Sequence, residues 1–358
     1  MKNGKSFFAL TVSLAFLLVF AVPARSAERS IVPVPVKDKS GNKVLLYKES
    51  HALLIGVSAY TGGWPELRGV KEDVRSVKKV LENNGFHVVL AEDPTRERME
   101  KAFNDFIIQY GQGENDRVLV YYAGHGHTLK LLGGEMGYIV PADAPNPNRD
   151  RKGFLAKAVD MQMMEVYAKR IQAKHALFLF DSCFSGSLFD VGRAIPENIG
   201  HKTSKPIRQF ITAGSADETV PDQSVFREQF VAALEGDADT DKDGYVTGAE
   251  LGEFLHKTVV NYSRNAQHPQ YGKIRDPRLD KGDFVFPLRT ASLTPDAGQA
   301  DLLQERHKLE AERAQIEAER KKLTEEKQLA EERKKLEEEK RRLEEEKKRM
   351  EVASLPRG

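Results

Sequence analysis

The sequence predicts an α/β protein, a three-layer α/β/α sandwich around a mostly parallel sheet. Three features predict it. Short apolar runs alternate with amphipathic runs of helical period between residues 49 and 289. The short runs are apolar throughout, as strands covered on both faces must be. Two of them end in glycines and reactive side chains, and ligands collect at the carboxyl ends of strands in an open parallel sheet.

The elements follow in order. His51–Val57 (HALLIGV) reads as a buried strand. Val70, Val74, Val77 and Leu81 recur at helical spacing, so 70–83 is a helix closed by Gly85. Phe86–Ala91 is the next strand, Thr95–Tyr110 the next helix, and Arg117–Ala123 (RVLVYYA) a strong strand. Val159–Gln172 reads as a helix, and His175–Phe180 (HALFLF) and Gln209–Ala213 as further buried strands.

The ends of the chain are of different composition. Lys2 and Lys5, an apolar run from Phe7 to Val22 and small residues around Ala24-Arg25-Ser26 predict a cleaved signal peptide over 1–27, hence a secreted or periplasmic protein with no stable membrane span after its removal. A lead segment covers 28–48, and a linker rich in Thr, Pro and Gly covers 290–300. From Asp301 to Glu351 there are 16 Lys/Arg and 17 Asp/Glu in 51 residues. Leu309, Ile316, Leu323, Leu329, Leu336, Leu343 and Met350 recur nearly every seven, so 301–352 reads as a long charged helix or a coiled coil, a route to self-association or partner binding. Residues 353–358 are read as a disordered end. The basic residues of 301–352 are neutralised locally, and the whole chain has a formal net charge of +1, which argues against a nucleic-acid partner. The single cysteine, Cys183, excludes an internal disulfide framework and a thiolate-only metal cluster.

Chemistry concentrates where two strands stop. RVLVYYA runs into Gly124-His125-Gly126-His127, and HALFLF into Asp181-Ser182-Cys183-Phe184-Ser185-Gly186. If the strands are parallel neighbours, His125 and Cys183 emerge side by side. An imidazole beside a thiol favours the thiolate nucleophile and then protonates a leaving amine. The N–H groups of Gly126 and Cys183 are candidates for an oxyanion hole.

YYAGHGH followed some fifty residues later by LFLFDSCFSG resembles the caspase-like cysteine peptidases, in particular the metacaspase branch (peptidase C14 type). LLIGVSAY, LRGVKEDV, FITAGSADE and QHPQYG extend the resemblance over roughly residues 51–287. It implies a caspase-like fold and a cysteine endopeptidase with His125 and Cys183 as its dyad, acting through a thioester acyl-enzyme. It also implies that Asp181 and Asp73 line the pocket for a basic side chain, so that protein or peptide substrates are cut after Arg or Lys. Phe184 departs from the pattern, standing where many metacaspases have a second histidine. Self-cleavage at Arg193, Lys202 or Lys205 is a further expectation of the resemblance.

Asp239-Thr-Asp241-Lys-Asp243-Gly244-Tyr245-Val-Thr247-Gly-Ala-Glu250 fits the twelve-residue EF-hand loop. Asp239, Asp241, Asp243, Tyr245, Thr247 and Glu250 are therefore candidate Ca2+ ligands, flanked by apolar helical runs at 226–234 and 251–260. The chemistry itself requires no cofactor. Two readings compete with the Arg/Lys endopeptidase: a low-turnover caspase-like scaffold binding partners through its charged helix, and a caspase that cuts after Asp.

Overall fold

A computed structural model describes residues 34–37, 43–183, 190–191, 205–215, 218 and 224–288. The expected signal peptide, the linker, the charged segment 301–352 and residues 353–358 lie outside the described residues, as do Arg193 and Lys202.

β1 (Val34–Lys37) and β2 (Lys43–Tyr47) form an antiparallel pair before the main sheet. Then come β3 (Ser50–Gly56), α1 (Val70–Asn83), β4 (His87–Glu92), α2 (Arg96–Tyr110) and β5 (Arg117–Ala123). Thr95 caps α2 by accepting from the Arg98 N–H, and α1 buries the predicted stripe Val70, Val74, Val77 and Leu81. β6 (Gly126–Leu131) and β7 (Gly134–Ile139) form a hairpin directly after β5. α3 (Arg151–Lys157), β8 (Val159–Asp160), α4 (Gln162–Arg170), β9 (His175–Cys183), β10 (Asp190–Val191) and β11 (Ile207–Gly214) follow. The chain continues with α5 (Val225–Ala232), a π-helical turn over Ala233–Asp237, β12 (Tyr245–Thr247), α6 (Gly248–Tyr262), β13 (Gln270–Lys273) and β14 (Val285–Pro287).

The sheet order is β10-β13-β11-β9-β5-β3-β4. β11, β9, β5, β3 and β4 are mutually parallel, and β13 runs antiparallel to β11. Strands buried on both faces need a cover on each. One face packs Leu54, Tyr121 and Leu179 against α1, α5 and α6; the other packs Leu53, Val120 and Phe178 against α2 and α4. This is the expected α/β/α sandwich.

Two local expectations shift. The helix expected over 159–172 begins as strand β8, because Val159 and Asp160 pair with Ile139 and Tyr138 of the hairpin. The strand expected at 86–91 starts one residue later, and buried Phe86 instead lies under a guanidinium.

That guanidinium belongs to Arg117, fully buried at the amino end of β5. It donates to Ser50 Oγ at 2.9 Å, to the Asn84 carbonyl at 3.1 Å and to the Val285 carbonyl. The rings of Tyr47, Phe86, Phe284 and Phe286 surround it. Burial pulls its pKa down to about 10, which still leaves it charged at neutral pH. Arg117→Leu strips three buried acceptors of their donor, so a loss of about 3 kcal/mol and a fall in melting temperature of roughly 10 °C are expected in a thermal melt.

Candidate active site

β5 and β9 are parallel neighbours, and Ala123 stands opposite Asp181 in their ladder. His125 and Cys183 each lie two residues beyond that pair, so their backbones leave the sheet at one edge. β9 carries an irregularity just before Cys183: Phe180 pairs with Thr212 but Cys183 pairs with Gly214, three residues against two. Such a bulge re-aims a strand end, and bulges are common beside active sites.

His125 is held on all sides. Its N–H donates to Tyr60 Oη at 2.7 Å, and its carbonyl accepts from Tyr122 Oη at 2.8 Å. A Cβ on Gly124 would come within 2.7 and 2.8 Å of those two hydroxyls, so the position needs glycine. The imidazole Nε2 lies 2.9 Å from the Pro65 carbonyl. A carbonyl only accepts, so Nε2 carries the proton and the neutral ring keeps its lone pair on Nδ1. The side chain is mostly buried among Tyr60 and Trp64, and this desolvation lowers its pKa, partly opposed by the Pro65 contact.

Gly126 begins β6 opposite Ile139, and the Val140 N–H donates to the His125 carbonyl. In an antiparallel ladder that pattern makes Gly126–Ile139 a non-hydrogen-bonded pair, which turns the Gly126 N–H away from β7. It is thereby available to an oxyanion.

Asp181 is buried on the α1/α5 face. Its Oδ2 accepts from Tyr121 Oη at 2.7 Å and from Ser224 Oγ at 2.5 Å, while Oδ1 has no hydrogen-bond partner among the described residues. Burial raises its pKa; the two hydroxyls and Arg227 pull the other way. Asp73 is buried on α1 and accepts from Arg227 Nε at 2.8 Å. Both acids therefore sit in one electrostatic cluster, where the guanidinium comes from α5 of the same chain. Ser224 ties the cluster together: its oxygen caps α5 by accepting from the Arg227 N–H at 2.9 Å while its proton goes to Asp181.

The acidic loop lies between α5 and α6. Carboxylate oxygens of Asp239, Asp241 and Asp243 all lie within 4.8 Å of one another. Asp239 accepts from the N–H groups of Asp243 and Gly244, both at 3.1 Å, and Gly244 turns the chain at φ +88°. Burial, then Asp241, Glu250 and Asp239 push the Asp243 pKa up to about 6, against the pull of the Tyr245 N–H. Tyr245 and Thr247 lie on β12, which pairs with β14. Glu250 forms a capping box with Thr247 and also accepts from the Thr240 N–H at 3.3 Å. The flanking helices differ in detail from the reading: α5 passes into the π-helical turn, and α6 starts earlier, at Gly248.

Sequence reasoning missed Tyr60, Trp64 and Pro65 around the imidazole, and Tyr121, Ser224 and Arg227 around the acids. Of these only Tyr121 left a signal, two positions before Ala123 on a strand of known period.

The Caspase domain family model (peptidase C14) matches residues 49–328. Metacaspase-1 of Mycosarcoma maydis is 33% identical over 156 residues, 39% of this chain and 36% of its own. Metacaspase-1A of Neurospora crassa is 32% identical over 158 residues, 39% of this chain and 32% of its own. The mouse homolog of mucosa-associated lymphoid tissue lymphoma translocation protein 1 is 31% identical over 156 residues, 43% of this chain and 17% of its own. These matches span little more than a third of the relatives' length at most.

Proposed function

The chain belongs to the caspase-domain family of cysteine peptidases, and from that premise we propose that it is an endopeptidase cutting after Arg or Lys, with Cys183 as nucleophile and His125 as acid–base group. The observation that carries this reading is the shared edge: His125 and Cys183 stand two residues past one ladder pair on adjacent parallel strands.

The thiol proton passes to His125 Nδ1 and the thiolate attacks the scissile carbonyl carbon. As the C–S bond forms, the carbonyl π pair moves onto oxygen, facing the N–H groups of Gly126 and Cys183. The oxyanion collapses, the C–N bond breaks, and His125 returns its proton to the leaving amine. Water then attacks the thioester while His125 takes its proton, the C–S bond breaks, and the acid product leaves with the thiol restored. Pro65 keeps the ring in the tautomer that this sequence needs.

Asp181 and Asp73 favour a cationic side chain and repel a carboxylate. Asp181 supports this, since its Oδ1 has no hydrogen-bond partner among the described residues, whereas Asp73 already accepts from Arg227. The test is a panel of reporter peptides ending in Arg, Lys or Asp. At least about a hundredfold preference for the basic ends is expected, from two carboxylates reversing sign of interaction; a preference for Asp would refute the assignment of the pocket.

Calcium is the metal that the acidic loop fits. Hard carboxylate oxygens converge at a left-handed glycine turn, and burial together with the neighbouring carboxylates raises the Asp243 pKa. Asp239, Asp241, Asp243, the Tyr245 carbonyl, Thr247 and Glu250 would hold it, bracing α5 against α6. Export in line with residues 1–27 would place the loop where calcium is plentiful. Calorimetric titration is expected to find one Ca2+ bound per chain, lost in Asp241→Asn; an equal heat from both proteins would remove the site.

A further inference from the structure

His125 has a neighbour whose contribution goes beyond the acid–base role just assigned. The indole of Trp64 lies 5.1 Å from the imidazole, centroid to centroid, with the planes 30° apart. The Tyr60 ring packs against the same imidazole at 4.8 Å. Trp64 is itself fixed, because its Nε1–H donates to the Ala144 carbonyl at 3.1 Å. The segment before it is stitched to the same stretch: the Thr61 N–H donates to the Ala142 carbonyl at 2.9 Å, and the Asn146 N–H to the Gly62 carbonyl at 2.8 Å. Phe154 backs the indole at 6.2 Å. The next residue, Pro65, supplies the carbonyl that binds Nε2. One dipeptide thus presents an aromatic face to the ring and a hydrogen-bond acceptor to its edge, both anchored to 142–146.

We propose that Trp64 is a positioning residue for His125: its indole face fixes the imidazole plane and stabilises the protonated ring that hands its proton to the leaving amine. This rests on His125 being the acid–base group. The electrostatics are those of a cation over an aromatic face, strongest for indole. A ring that gains charge during the reaction draws more from that face in the transition state than in the resting enzyme, which raises kcat rather than lowering KM.

The charged and titratable groups around the imidazole define the controls. Tyr60 and Tyr122 hold its backbone, and burial raises the pKa of both phenols, so they stay protonated through the neutral range. Asp93 acts on Tyr60, and Arg151 acts on His127. His127 meets the indole edge-on at 5.7 Å and is a second imidazole able to report through it. Cys183 ends the neighbouring strand.

Trp64 is the only tryptophan in the chain, so indole emission reports on its surroundings, and the two histidine variants separate His125 from His127. In the full-length protein, emission is expected to fall as the pH drops through the titration of His125. The step should persist in His127→Gln and vanish in His125→Gln. Two further readouts compare Trp64→Phe and Trp64→Leu with wild type. Iodoacetamide alkylation of Cys183, the only thiol, reads the thiolate paired with the imidazolium without any turnover. It should slow about fivefold near neutral pH in Trp64→Leu and be largely restored in Trp64→Phe. With the Arg reporter, Trp64→Leu should lose about tenfold in kcat with KM within about twofold, and its acid limb should move to lower pH.

An emission step unaffected by His125→Gln, or a folded Trp64→Leu protein with wild-type alkylation rate and kcat, would overturn the proposal. Should Trp64→Leu fail to fold, the emission step and Trp64→Phe still decide it. A chain that cleaves no reporter yet shows the emission and alkylation effects would fail the peptidase reading while keeping the contact between Trp64 and His125.

Discussion

Alanine at Cys183 is expected to lower turnover of an Arg reporter at least about a thousandfold, and alanine at His125 to do the same, with the double variant no worse than either. The two groups act as one unit: a thiol without its base rarely ionises, and a base without the thiol has nothing to activate. Independent contributions would instead multiply. The pH profile gives a second check. Burial lowers the pKa of His125 below the ordinary 6.5, so the ring stays neutral, and able to take the thiol proton, to lower pH than a free histidine. Activity should therefore persist at pH 6.5 and fall only as the pH drops through that lowered value. A midpoint above 6.5 on the acid side of kcat, read at saturating substrate so that the Asp181 effect on KM drops out, would speak against His125 as the base.

Asp181→Asn is expected to cost at least about a hundredfold in kcat/KM for Arg and Lys reporters while leaving the melting temperature nearly unchanged or raised. The two effects have opposite origins. A buried carboxylate with a raised pKa is costly to keep charged, and asparagine removes that cost while its oxygen still accepts from Tyr121 and Ser224. Arg227 offsets part of that charge; on the proposed reading an incoming cation offsets more, so the lost interaction is expected in substrate binding. The linkage has a definite sign: with the folded pKa raised, the carboxylate forms only as pH rises, so KM for Arg reporters should fall as pH rises through the Asp181 titration and stay flat in Asp181→Asn. Asp73→Asn is a different experiment, because it leaves Arg227 without the acceptor at 2.8 Å and so changes stability as well.

Much of this was legible in the residues. Five parallel strands and four of the helices covering them fell where apolar runs and helical spacing put them, because burial on two faces writes a continuous pattern. The hairpin β6–β7 was not legible: a third of its strand residues are solvent-exposed, and its short, glycine-interrupted strands carry no clean alternation. Its existence also turned 159–160 from helix into strand, a tertiary effect that no local window contains. At the site, His125 and Cys183 could be named because reactive residues at strand ends stand out; Asp181 and Asp73, the latter on α1, were named through the family resemblance. Pro65 acts through a backbone carbonyl, which any residue possesses, and Arg227 reaches Asp73 across 154 positions. Neither leaves a mark in the sequence. The closeness of Asp239, Asp241 and Asp243 follows from their spacing, since alternate residues around one turn of chain stay within a few ångströms.

The dyad faces its most direct test in labelling by a peptide chloromethyl ketone ending in Arg, followed by mass mapping of the modified chain. One adduct on Cys183 is expected, formed at least about a hundredfold faster than with the Asp-ended reagent and slowed about a hundredfold in His125→Ala. Labelling of the native protein no faster than of the same chain in urea, or at a rate indifferent to His125, would contradict it.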